Sequence, residues 1–89
     1  MFYYVYFIRS IKYPQTVYVG YTTNIKERLS THNSGGSIHT KKNRPWELVV
    51  CMAFKDMKSA KEFEKYLKTQ SGRTFIKKRF LRKPEETDR

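Results

Sequence analysis

The sequence predicts an α+β fold: a small three-stranded antiparallel sheet flanked by helices, in the order β-β-α-β-α-α. Three observations lead there. Two short runs dense in β-branched and aromatic residues, Phe2–Ile8 and Val17–Tyr21, are separated by too few residues for a parallel crossover, so they pair antiparallel. A third run of the same kind, Trp46–Phe54, follows the basic loop Ser37–Pro45. After the second and third runs the apolar residues switch to helical spacing. A small sheet with helices laid against it is an α+β layer arrangement, and 89 residues allow one domain with one modest core.

The elements follow in order. Phe2–Ile8 shows little polar alternation, so both faces of this strand are expected to be covered. Arg9–Gln15, with Pro14, reads as a hairpin-like connection to Val17–Tyr21. The first helix is expected from Asn24 to His32, with Thr22, Thr23 and Asn24 as candidate caps and the Asn33–Gly36 stretch as its stop. Ser37–Pro45 is a basic loop. The second helix is expected to be capped by Ser59, with Glu62 completing a capping box, and to be ended by the Gln70–Gly72 stretch. Ala60, Phe63 and Leu67 form its buried face. A last short helix is expected over Phe75–Leu81, dense in base with Lys77, Lys78 and Arg79, followed by Arg82 and Lys83. Residues 1–80 are expected to form the domain, and 81–89, polar from Pro84 onward, a frayed tail.

The net charge of +11 and the pI near 10.0 imply a polyanionic partner, with nucleic acid the leading candidate. Cys51 is the only cysteine and lies in an apolar run, which fits a small buried thiol in a reducing compartment. One cysteine and two histidines at this spacing cannot build a zinc site. The apolar run at the N-terminus falls far short of the ~20 residues a spanning helix needs. It also lacks the flanks of a secretion signal. No membrane association is expected, and the expected location is the cytoplasm.

Candidate chemistry sits beside the apolar stripes. In the first helix Ile25 and Leu29 mark the stripe. At ~100° per residue, Arg28 lies about 60° to one side of Ile25 and His32 about 20° to the same side. Both are expected at the border of core and solvent, where an arginine needs an anion or a water-filled groove. Glu64 lies about 40° off Ala60, at the edge of the second helix's stripe. A carboxylate there can pair with an arginine or bind a hard cation. In the strands, Tyr4 and Tyr6 share one face, as do Tyr18 and Gly20. If the strands pair, Tyr6 and Tyr18 approach each other, and Gly20 leaves room for a ligand or a close backbone. Singly, each residue has a plain structural reading: packing for the tyrosines, an ion pair for Arg28 and Glu64, a core-edge position for His32. Together, on one border of a strongly basic chain, they read as a site.

With these residues in view, the chain resembles the GIY-YIG nuclease superfamily. Tyr4-Val5-Tyr6 corresponds to the first signature and Tyr18-Val19-Gly20 to the second. Gly20, Arg28 and His32 match the helical signature in spacing, and Glu64, within AKEFEKYLK, matches the metal-binding glutamate. The resemblance covers residues 2–80 and is closest to short stand-alone members that resemble the nuclease domain at the N-terminus of an excinuclease component. The glycine of the first signature is Tyr4 here, and His32 stands where other members have tyrosine. The resemblance implies hydrolysis of DNA phosphodiesters with Mg²⁺ (or Mn²⁺) on Glu64, in repair or recombination. It implies that Arg28 neutralises phosphate charge and that either Tyr6 or Tyr18 accepts a proton from water. His32 is left three roles: orienting that hydroxyl, taking its proton, or touching phosphate. Lys41, Lys42, Arg44, Arg73, Lys77 and Lys78 are expected to hold the flanking DNA backbone, giving salt-sensitive, sequence-poor affinity. The alternatives are a nucleic-acid-binding module with weak or partner-dependent cleavage, and a basic RNA- or ribosome-associated protein. The second of these has no need for Glu64 near Arg28.

Overall fold

Strands β1 (Tyr3–Ser10), β2 (Val17–Thr22) and β3 (Trp46–Phe54) form one antiparallel sheet in the order β2-β1-β3. The computed structural model describes residues 1–81. The expected contributions of Arg82, Lys83 and the tail from Pro84 fall outside the described residues. Strand β1 lies in the middle, which explains its unbroken apolar run: Val5, Tyr6, Phe7 and Ile8 are all buried, on both faces.

The alternation of β1 sorts the interior into two cores. Val5 and Phe7 join Val19 of β2 and pack under helices α2 (Met57–Leu67) and α3 (Gln70–Phe80) through Ala60, Leu67 and Ile76. Tyr6 and Ile8 point the other way, with Trp46 and Tyr18, and meet Ile25 and Leu29 of α1 (Ile25–Ser34). Full burial of a side chain such as Phe7 contributes roughly 1.5–3 kcal/mol. The register sets Tyr6 opposite Gly20 and Ile8 opposite Tyr18. A slip of one residue would exchange the two cores, so the register is fixed by what each face must bury.

Helix α1 is capped as its sequence indicates. Asn24 is extended, and its side chain accepts the Glu27 N–H at 3.1 Å. Gly35 closes the helix in the left-handed region at φ 86°, with its N–H on the Thr31 carbonyl.

Two helix boundaries depart from expectation. Asp56, not Ser59, caps α2: its carboxylate accepts the Ser59 N–H at 2.8 Å and the Ser59 hydroxyl at 2.7 Å. Both residues are good caps; with Asp56 as the cap, Ala60 lies within the first turns of α2 and is buried in the core. The Gln70–Gly72 stretch does not end α2 but begins α3, which runs over Gln70–Phe80 rather than Phe75–Leu81. Helix α2 stops at Leu67, and the Thr69 hydroxyl caps α3 by accepting the Gly72 N–H at 3.1 Å.

Gly72 acts through packing, not as a helix stop. A Cβ there would overlap the Tyr66 carbonyl oxygen and Leu67 Cα, both backbone atoms. No rotamer change relieves that contact, so Gly72→Ala is expected to cost roughly 1–3 kcal/mol or more. A lowered denaturant midpoint with unchanged m-value checks this. No helix among the described residues is long and apolar enough to cross a membrane.

Candidate active site

Tyr6 stands on the α1 side of the sheet with its ring filling the space over Gly20. A Cβ on residue 20 would overlap Tyr6 Oη and Cζ. The room that Gly20 leaves is therefore taken by the protein's own phenol, which corrects the expectation of space for a ligand. The Tyr6 hydroxyl lies 2.8 Å from Nε2 of His32, and His32 Nδ1 lies 2.7 Å from Oγ1 of Thr40.

His32 is only 1 % exposed, which corrects its expected place at the solvent border. It can be buried because both ring nitrogens have partners. The pairing of Tyr6 and Tyr18 is indirect: each ring packs against His32, Tyr18 edge-on at 5.2 Å between centroids and Tyr6 tilted at 5.8 Å.

Thr40 is completely buried, and its carbonyl accepts the Trp46 indole N–H at 2.9 Å. The Asn33 side chain brackets the Trp46 backbone, accepting its N–H and donating to its carbonyl. The end of α1, the 37–45 loop and the start of β3 are thereby locked around the imidazole.

The electrostatics oppose one another at the phenol. Burial pushes the Tyr6 hydroxyl up to about 12, while Arg28 pulls it down and Tyr18 and Glu64 add to the rise. Burial, reinforced by Arg28, holds His32 below the usual imidazole range. At neutral pH the phenol is protonated and the imidazole neutral.

Arg28 is exposed, one turn before His32 on α1, within electrostatic reach of the Tyr6 hydroxyl. Glu64 reaches the same hydroxyl electrostatically from α2. Its side chain is 22 % exposed, and Lys68 Nζ sits 3.0 Å from its carboxylate. The structure thus gathers Tyr6, Tyr18, Arg28 and His32, with Glu64 at the margin.

Glu64 suits one kind of metal. Among the described residues no group of three or more His, Cys, Asp or Glu side chains could cage an ion. A single, partly exposed carboxylate fits a hard cation that keeps most of its waters, as Mg²⁺ does. Lys68, half-exposed, is a weak competitor for that carboxylate.

The expected DNA-binding residues occupy two layers. Lys41 and Lys42 are exposed on a 3₁₀ turn (Lys41–Asn43), on the loop that Thr40 ties to His32. Arg44 lies over Gly35 at the C-terminal end of α1, where a Cβ on residue 35 would strike its guanidinium. Arg73 and Lys77 belong to the opposite layer. With Lys68 and Tyr18 they line a groove of about 550 Å³ between β2 and α2–α3. Lys78 is exposed in the last turn of α3.

Two residues escaped the sequence reading. Lys68 had a signal, its i,i+4 spacing from Glu64. Thr40 had none, being a small polar residue in a polar loop.

Known proteins share both the sequence pattern and the fold. Residues 2–79 match the family model for the GIY-YIG catalytic domain. A UPF0213 protein from Pediococcus acidilactici, encoded in the ldhD 5′ region, is 39% identical over 66 residues, covering 71% of this chain and 67% of that protein. The structure-specific endonuclease subunit SLX1 of Debaryomyces hansenii is 42% identical over 59 residues, covering 60% of this chain but only 17% of the fungal protein. The solution NMR structure of the UPF0213 protein BH0048 from Bacillus halodurans aligns with a TM-score of 0.52 at 29% identity, covering 85% of this chain and 82% of that one. Signature spacing, sheet order and family match agree: the chain belongs to the GIY-YIG nuclease family.

Proposed function

We propose that this protein is a divalent-metal-dependent DNA endonuclease, hydrolysing one phosphodiester bond at each visit, in DNA repair or recombination. The observation that carries this reading is the hydrogen-bonded series Tyr6–His32–Thr40 beside the exposed Arg28. The relation to a structure-specific endonuclease subunit supports the DNA substrate.

A phenol at about 12 is ionised in roughly one molecule in 10⁵ at pH 7, so a standing phenolate is not the base. His32 removes that difficulty. As the attacking water gives a proton to Tyr6 Oη, the phenol's own proton passes to His32 Nε2. The water oxygen bonds to phosphorus and the bond from phosphorus to the leaving oxygen breaks. The leaving oxygen takes a proton from solvent, and the imidazolium releases its proton to solvent. Tyr6 ends as it began, protonated.

Arg28 offsets the negative charge on the phosphate oxygens and holds the electron density that develops on Tyr6. Tyr18, half-buried against His32, is assigned to substrate positioning where the groove meets the site. When bound at Glu64, Mg²⁺ or Mn²⁺ supplies polarisation of the scissile phosphate and stabilises the leaving oxygen. Lys41 and Lys42 on one layer, and Arg73, Lys77 and Lys78 on the other, hold the flanking backbone.

A binding module with partner-dependent cleavage is the second reading. The existing Glu64–Lys68 pair favours it.

Labelled duplex, forked and single-stranded DNA, each incubated with Mg²⁺, Mn²⁺ or chelator, separates the two readings. Cutting that needs the metal is expected. DNA binding with no cutting in any metal would overturn the enzyme reading.

The pH profile carries a sign. His32 must be neutral to accept the proton, and burial with Arg28 keeps it neutral below its ordinary value of 6.5. The acid limb of kcat is therefore expected below pH 6.5, and a limb at or above that value would contradict this role.

A further inference from the structure

We propose that Thr40 is a positioning residue of this site: its hydroxyl accepts the Nδ1 proton of His32 and so holds the Nε2 lone pair toward Tyr6. The kinetic part of this inference rests on the proposed hydrolysis; the structural part stands without it.

Donors and acceptors around the ring decide the tautomer. The neutral imidazole carries one N–H, and its two nitrogens face two hydroxyls, Tyr6 Oη at 2.8 Å and Thr40 Oγ1 at 2.7 Å. Arg28, within electrostatic reach of Tyr6 Oη, offers only donors. Glu64 acts on this hydroxyl only through its charge, and the acceptor within hydrogen-bond distance of the phenol is His32 Nε2. That leaves the imidazole proton on Nδ1, where Thr40 Oγ1 must accept it. The opposite tautomer would aim an Nε2–H at an oxygen within electrostatic reach of the Arg28 guanidinium.

Thr40 is built to do this. It is completely buried, and main-chain bonds fix it independently of His32: its N–H donates to the Ser37 carbonyl at 3.2 Å, and its own carbonyl accepts from Asn43 N–H at 3.2 Å and from the Trp46 indole at 2.9 Å. A valine has nearly the same shape and would fill the same space, so packing alone does not require a hydroxyl. The hydroxyl is also uncharged. A carboxylate at this position would favour the imidazolium, whereas Thr40 leaves His32 neutral and able to take a proton. Lys41 and Lys42 follow directly in sequence, so the loop that meets the phosphates also carries the residue that orients the histidine.

The test compares wild type with Thr40→Val and Thr40→Ser. Imidazole ¹⁵N–¹H NMR of the wild-type protein is expected to show the proton of His32 on Nδ1, retained in Thr40→Ser and lost or redistributed in Thr40→Val. With saturating labelled DNA, Thr40→Val is expected to lower kcat on the order of tenfold or more. KM should stay near wild type, and serine should restore the rate. A wild-type His32 protonated on Nε2 would overturn the inference, as would equal rates for valine and wild type, or equal losses for valine and serine. If the wild type cuts no DNA, the proposed function fails while the tautomer still decides the role of Thr40. Should Thr40→Val not fold, the tautomers of the wild type and Thr40→Ser decide it.

Discussion

Tyr6→Phe is expected to lower the single-turnover cleavage rate by roughly 10²–10⁴-fold, the range for removing a positioned general acid–base group. DNA affinity should change little, because the substitution leaves untouched the basic residues proposed to hold the DNA backbone. Tyr18→Phe should cost much less. If Tyr18→Phe proves the more damaging of the two, the proton acceptor is Tyr18. Stability responds too. Without the hydroxyl, His32 Nε2 is left buried with no partner, at a cost of about 1–3 kcal/mol.

The alkaline side carries a separate signature. The phenol sits at about 12 when folded and at its ordinary 10.0 when unfolded. Between those values the unfolded chain has lost a proton that the folded chain keeps. The contribution of Tyr6 is thus fully present below pH 10 and is lost as pH rises toward 12, a difference of about 3 kcal/mol. Urea titrations of wild type and Tyr6→Phe across that window should converge as pH rises.

Gly20→Ala is the second large effect expected. The added methyl would overlap Tyr6 Oη and Cζ, and the His32 ring packs against the phenol. Either the phenol shifts, breaking its bond to His32, or β1 and β2 move apart. Overpacking of this kind costs roughly 1–3 kcal/mol, and the rate should fall with it because the Tyr6–His32 contact is the first to give way. The two substitutions should be partly non-additive. Once Tyr6 is phenylalanine, part of the clash is gone, so alanine at position 20 should cost less in that background. A double-mutant cycle on denaturant midpoints measures the coupling. Additive costs would mean that the overlap with ring carbons Cζ and Cε1, which phenylalanine keeps, outweighs the overlap with Oη.

Much of this architecture could be read from residue patterns because local and tertiary preferences agree there. The strand runs, the Asn24 cap and the Gly35 stop each serve the same element locally and in the fold. The misreadings come where two local signals compete or where the cause is purely tertiary. Asp56 and Ser59 are both sound caps, and local pattern does not decide between them. Gly72 looks like a helix stop in sequence, yet it is needed for close approach of α3 to the end of α2.

The site divides in the same way. Arg28 and His32 could be placed on one side of α1 from helical geometry, and the family resemblance supplied Glu64 as a metal ligand. The depth of His32 could not be read, because it depends on Thr40, which pattern alone does not mark. Nor could the occupant of the space at Gly20, because cross-strand register brings Tyr6 there. Which tyrosine meets the histidine hydroxyl-to-nitrogen is likewise open in sequence and settled by the 2.8 Å between Tyr6 Oη and Nε2.

Cleavage of one end-labelled DNA at saturating protein, with Mg²⁺ present, by wild type, Arg28→Ala and Glu64→Ala decides whether hydrolysis takes place at this site. Metal-dependent hydrolysis at this site predicts clean cutting by wild type, loss of at least about two orders of magnitude in each variant, and retained DNA binding in all three. Cutting that persists undiminished in both variants would place the chemistry elsewhere and contradict a site built on Tyr6, Arg28, His32 and Glu64.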